Sequence, residues 1–265
     1  MTSVLPLTRR QLRESWRGLL GWSLALVGVL VLYLPLYPSI GGSSELQSII
    51  DALPPELIAA LGYDQISSGA GYVQSTFFGL MGFALVSAAA TGWGGAMIAG
   101  AWESGALELD LAHGAHRIRV ALEAGLALTL KLVALMAVTF ATVLLFDGPA
   151  ELGLEPMHLA AAVAALGGLG VLTGGAALAA GAVSGRRAVA SSVGAAVAVT
   201  GFALQAIGRQ SPDLEWVAGF SPVAWVFDPS PLREGPSLAG LLAVWGLGVA
   251  LIALTAWVLN RRDIT

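Results

Sequence analysis

The chain contains no cysteine and a single lysine, and only 11% of its residues are charged, against roughly 25% in ordinary soluble domains. Without cysteine there is no disulfide framework, no thiol nucleophile and no thiolate metal site. The one lysine, Lys131, sits in GLALTLKLVAL. Neither the second glycine nor the Ser/Thr of the phosphate-binding GxxxxGK[ST] loop is in place there, so ATP is not bound by that route. GxSxG, HExxH and paired intramembrane aspartates are also missing, which leaves lipid hydrolysis and intramembrane proteolysis without residue support. The three histidines, His113, His116 and His158, lack carboxylate or thiolate partners at ligand spacing. The expectation is a chain that is not by itself an enzyme and holds no metal or cofactor.

What is present is apolar sequence. Hydrophobic residues make up 56% of the chain, in uncharged stretches that exceed the about 20 residues a helix needs to cross a bilayer. Spans are read at about 18–38, 71–101, 118–146, 159–184, 188–208 and 237–260. Proline and glycine punctuate the gaps, at Pro35 and Pro38, Pro149, Ser184–Gly185, Pro212 and Pro229 through Pro236. This predicts an all-α integral membrane protein of six transmembrane helices, residues 1–265 forming one transmembrane domain. The N-terminal segment is not read as a cleaved signal peptide, because its apolar run continues past Tyr33 without a small-residue cleavage site.

Arginine sets the expected orientation, since cytoplasmic loops carry excess Lys and Arg. With the N-terminus inside, Arg9, Arg10, Arg13, Arg17, Arg117, Arg119, Arg186, Arg187, Arg261 and Arg262 face the cytoplasm, and only Arg209 and Arg233 face out. Both termini are therefore expected to be cytoplasmic. Residues 1–17 read as a cytoplasmic amphipathic helix whose arginines Arg9, Arg10, Arg13 and Arg17, with Trp16, anchor it at the membrane surface against anionic lipid. The first outer loop, SELQSIIDALPPELIAALGYD, predicts two short amphipathic helices from a capping box at Ser44 to a stop at Gly62. They serve either as a lid on the outer ends of the spans or as a gate that touches substrate.

One stretch breaks the apolar pattern. Gly71 to Ala101 carries no charge, whereas WESGALELDLAHGAHRIR, residues 102–119, carries five charges and two histidines. Trp102 is the aromatic expected at a membrane interface. Gly105 lets the chain turn away from the span, Leu107 and Leu111 lie four apart on one helical face, and Leu109 and Glu108 lie off it. Gly114 would end the short helix before Arg117 and Arg119 anchor the return. Two readings fit: a helix that offers its leucine face to a partner, or a solvated loop held by headgroups.

Lys131 stands about 18 Å of helix beyond Arg119, deep inside the third span. An ionisable residue at that depth is expensive and marks a candidate site. Glu123 is on the same helix, two turns away. Either the pair faces a central hydrated cavity, or Lys131 snorkels or faces a wet dimer cavity without touching substrate. GVLTG at 170–174, and Gly95 with Ala99, offer small residues for close helix approach.

The order Glu103, Gly105, short helix, basic turn, next span resembles the permease subunits of the ABC type-2 family, the small six-span ABC exporters. Here it reads Glu103, Gly105, Ala106, Leu107, Glu108, Leu109, Asp110, Leu111, then His113–Gly114 and Arg117. Asp110 stands where the family usually has leucine and Gly114 where it has proline. The N-terminal amphipathic helix, FSPVAW at 220–225 and NRRDIT at 260–265 are also similar. The resemblance implies a coupling helix between the second and third spans that docks in a separate P-loop ATPase, carried by Glu103, Gly105, Leu107, Glu108, Leu109, Leu111 and Arg117. It implies an outer gate of short re-entrant helices at Phe220, Ser221, Pro222 and Trp225. It also implies two such ATPases per complex, with ATP and Mg on those subunits, and a second copy of this chain or a paralogous permease. Membrane lipids are further partners, and nucleic acid is not. The implied activity is outward movement of an amphipathic substrate (drug, antibiotic or lipid) across a cell membrane, a bacterial inner membrane. A secondary transporter or a non-ABC membrane scaffold is the alternative, though spans so poor in carboxylates disfavour ion coupling.

Overall fold

The computed structural model describes residues 5–40, 68–113 and 115–261. All regular structure among these residues is helical. Six helices are long and apolar enough to cross a membrane: Trp16–Ser39, Gly69–Glu103, Arg117–Asp147, Pro156–Ser184, Arg187–Gly208 and Leu238–Arg261. They are called the first to sixth spans below, and by this measure the chain is a multi-pass membrane protein. Each lies within a few residues of the expected segment. The largest differences are at the fourth span, which begins three residues earlier at Pro156, and the second, which runs on through Trp102 and Glu103. Proline at the first helical position lacks an N–H that would be orphaned there in any case. The paired helices expected over residues 44–62 lie outside the described residues, as do Gly114 and Arg262.

The fourth span is the centre of the bundle. Of its most apolar window 89% is buried inside the chain, against 17% for the first span and 22% for the sixth. It packs against the second, third, fifth and sixth spans. Its composition explains the position: glycine and alanine let neighbouring backbones approach, as helix pairs in lipid require. A methyl group at Gly94 on the second span would run into the carbonyl of Gly174 on the fourth, and one at Gly174 would stand 3.0 Å from the Ala90 carbonyl. Gly170, the other member of the GVLTG pair, faces Val86 and Leu132. The sixth span buries Gly240, Val244, Gly248 and Ala256, a repeat of four residues that lays one face on the bundle.

The second span departs from regular α-helix twice, with π-helical turns at Gln74–Met81 and Ala96–Gly100. Such turns shift the register of the side chains that follow. Short helices occupy both ends. Pro6–Glu14 precedes the first span, and Ala106–Ala112 joins the second to the third. At the opposite end Glu215–Ala218, Pro222–Phe227 and Pro231–Glu234 join the fifth to the sixth. Among the described residues nine arginines lie at the first of these ends, and Arg209 and Arg233 at the other.

Candidate functional site

At the arginine-bearing end, three carboxylates tie together elements that are distant in the chain. The first is Glu123, one turn and a half into the third span and 2% exposed. Helix Pro6–Glu14 starts after Leu5, a residue with no side chain to cap it. The missing cap comes from the third span: the Thr8 N–H donates to Glu123 Oε2 at 2.8 Å. A carboxylate there satisfies an orphan N–H and lies at the positive end of the helix dipole. Thr8 Oγ1 adds a contact to Glu123 O at 3.3 Å, and Arg119 Nε donates to Glu123 Oε1 at 2.8 Å. Glu123 is thus consumed by these partners, which corrects its assignment to a cavity with Lys131.

The second carboxylate is Asp110. It accepts both outer nitrogens of Arg10, at 2.9 Å from Nη1 and 2.7 Å from Nη2, the fork-on-fork geometry that makes such pairs strong. The hydrogen bonds from Arg10 to Asp110, which outweigh its partial burial, push the guanidinium pKa above arginine's ordinary value. Asp110 therefore fastens the short helix to the N-terminal helix. Arg9, Arg13, Arg17 and Trp16 are exposed, with the Arg17 guanidinium 5.6 Å from the Trp16 ring centre.

The third is Glu103, whose Oε1 accepts the backbone N–H of Arg187 at 2.8 Å. Arg187 is the first residue of the fifth span, preceded by Arg186, which provides no side-chain cap. Glu103 thus caps the fifth span from the end of the second.

Between these anchors the short helix Ala106–Ala112 begins at Gly105, whose φ of 72° is a left-handed conformation that favours glycine. Leu107 is 1% exposed and Leu111 packs on the same core. The leucine face expected to meet a partner is turned inward instead, because the protein's own core is the nearest apolar surface. The outward residues are Glu108 and Leu109, the latter 62% exposed. Arg117 opens the third span and is half-buried.

At the other end Ser221 is fully buried. Its hydroxyl donates to the Gly201 carbonyl at 2.6 Å and accepts the Ala224 N–H at 3.1 Å, capping Pro222–Phe227. Pro222 occupies the first position of that helix. Trp225 Nε1 donates to the Gly219 carbonyl at 2.7 Å, while Phe220 is exposed and stacks edge-on against Trp216. Asp228 accepts from Gln205 at 3.1 Å and pairs with Arg209.

Lys131 is 3% exposed, and its Nζ lies 5.3 Å from the ring centre of Trp93, within cation–π range. It faces the interior of this single chain, packed against the second span and away from lipid. Among the described residues no group of three or more acidic or histidine side chains is placed to hold a metal.

Sequence reasoning missed the anchoring role of all three carboxylates, Glu103, Asp110 and Glu123, because their partners lie 84, 100 and 115 residues away. One signal was available: the helix at Pro6 has no Ser, Thr, Asp or Asn at its cap, and Glu123 is the one acid inside an otherwise apolar stretch.

No family model, curated protein or solved structure matches this chain.

Proposed function

We propose that this chain is the transmembrane permease subunit of an ATP-driven exporter, worked by a separate P-loop ATPase that carries the ATP and Mg. The observation that supports this most is the short helix Ala106–Ala112. Its base is buried and clamped by Arg10, and it holds Glu108 and Leu109 out at the arginine-bearing end. An exposed leucine beside an acid, on a helix fixed at its root, suits docking in a partner groove lined by apolar and basic residues. Movement imposed there reaches the second span through Gly105, the third through the turn at His116, and the fifth through Glu103. The excess of arginine supports a cytoplasmic location for this end, and with it the expectation that both termini face the cytoplasm. The weakly buried first, fifth and sixth spans leave surface for a second permease chain, and the cargo that fits apolar walls is amphipathic.

Affinity purification from the native membrane tests this. A P-loop ATPase should co-purify, and Leu109→Glu or Glu108→Arg should reduce its recovery at least about tenfold, equivalent to about 1.4 kcal/mol. The spans should stay folded, since neither side chain is buried. Absence of any ATPase from the wild-type complex, or equal recovery with both variants, refutes the reading.

A further inference from the structure

We propose that the flank of the third span beside the N-terminal helix is a binding groove for one anionic phospholipid of the adjacent leaflet. The groove has a cavity volume of about 400 Å³ and is lined by Leu5, Ile118, Leu122 and Leu126, with His116, Arg119 and Glu123 at its upper end. Ile118, Leu122 and Leu126 recur every fourth residue, so they line one face over about 12 Å of helix. That is close to half the roughly 30 Å hydrocarbon thickness, the depth reached by one acyl chain. All three are exposed at the surface of this chain, as is Leu5.

Charge selects the headgroup. Glu123 is already bonded to Thr8 and Arg119, so its negative charge is compensated within the protein. The exposed Arg9 lies one helical turn on from the lining residue Leu5, whose carbonyl accepts the Arg9 N–H at 3.2 Å. Across the whole arginine-bearing end, nine described arginines face five acids, Glu14, Glu103, Glu108, Asp110 and Glu123. An apolar slot running into the bilayer beneath a net positive rim is a site for a lipid with a negative headgroup. A zwitterionic lipid fills the slot without gaining from the rim. The inference needs only that the third span crosses a membrane, so it stands apart from the ATPase reading.

Native mass spectrometry of the full-length protein in mild detergent tests it, with phosphatidylglycerol and phosphatidylcholine added in competition. The wild type should retain one phosphatidylglycerol in preference to phosphatidylcholine. Leu122→Trp fills the slot without altering a charge and should remove that bound lipid. Arg9→Gln leaves the slot intact and should lower the preference by about fivefold. Equal retention of both lipids by the wild type would show annular lipid only and overturn the proposal. So would a preference that survives Arg9→Gln, which also serves if Leu122→Trp fails to fold.

Discussion

Polar links at the two ends of the bundle differ in how much chain they close. At the arginine-bearing end, Thr8 to Glu123 spans 115 residues, Arg10 to Asp110 spans 100 and Arg187 to Glu103 spans 84. At the opposite end Tyr72 to Tyr33 spans 39 residues, Gln205 to Asp228 spans 23, Ser221 to Gly201 spans 20 and Leu154 to Asp147 spans 7. The first end is fastened across the bundle, so separate helices there must move together or break a charge-assisted bond. Among the described residues, these polar links at the second end join stretches closer in the chain. A unit that has to pass movement among several spans belongs at the first kind of end.

The sharpest way to break this contrast is Glu123→Ala. It leaves the Thr8 N–H buried without that acceptor and removes the carboxylate that pairs with Arg119. We expect a loss of about 2–3 kcal/mol, discounted because Arg119 is half exposed. The readouts are a lower unfolding midpoint of the purified protein and faster proteolysis around residues 6–15. Glu123→Gln keeps an acceptor for Thr8 and should recover part of the loss. Unchanged proteolysis in both variants would mean that the cap does not hold the N-terminal helix.

Ser221→Ala tests the other end. Losing a helix cap and a buried donor should cost about 1–2 kcal/mol. The new protease sites should be confined to residues 209–236, because the links there are local. Cleavage that spreads to the far end would contradict the local assembly of this region.

Glu103→Ala removes a cap that is exposed, so about 1 kcal/mol is expected. Hydrogen exchange should rise in the first turn of the fifth span and not in the second. Smallest is the Arg10–Asp110 pair, where a double-mutant cycle of Arg10→Ala and Asp110→Ala should give a coupling of about 0.5–1 kcal/mol that shrinks with added salt. The raised Arg10 pKa adds a sign. The contribution of Arg10 is fully present below arginine's ordinary, strongly alkaline pKa. It is lost only as pH rises through the still higher folded value, so the coupling should not fade under mildly alkaline conditions.

The apolar runs made the six spans legible, because hydrocarbon leaves a backbone few alternatives to helix. The bend at Gly105 and the short helix after it were legible too, from glycine followed by leucines four apart. Which way that helix turned was not. An amphipathic stripe states that one face will be buried and is silent on whether the surface belongs to the same chain, so Leu107 and Leu111 read as partner-facing while Leu109 carries the exposed position. Glu123 and Lys131 share a helix, too far apart for a direct pair, and both read as cavity candidates, yet they belong to different structures, a helix cap and a cation lying on Trp93. The π-helical turns of the second span had no sequence signal, since a register shift arises from packing against neighbours.

The seam between the second and fourth spans bears on how the gene can change. Every glycine codon begins with two guanines, and a base change at either position puts a side chain, or a stop, where Gly94 and Gly174 have only hydrogen. At Gly94 the new atoms meet a carbonyl of the facing backbone, and at Gly174 they meet the Ala90 carbonyl and the Leu128 side chain. An outward leucine such as Leu24 or Leu242, each about 70–75% exposed, can drift among apolar residues with little effect. Variation in this lineage should therefore collect on the outer faces of the first and sixth spans, while two codons in the middle of the molecule stay closed to it.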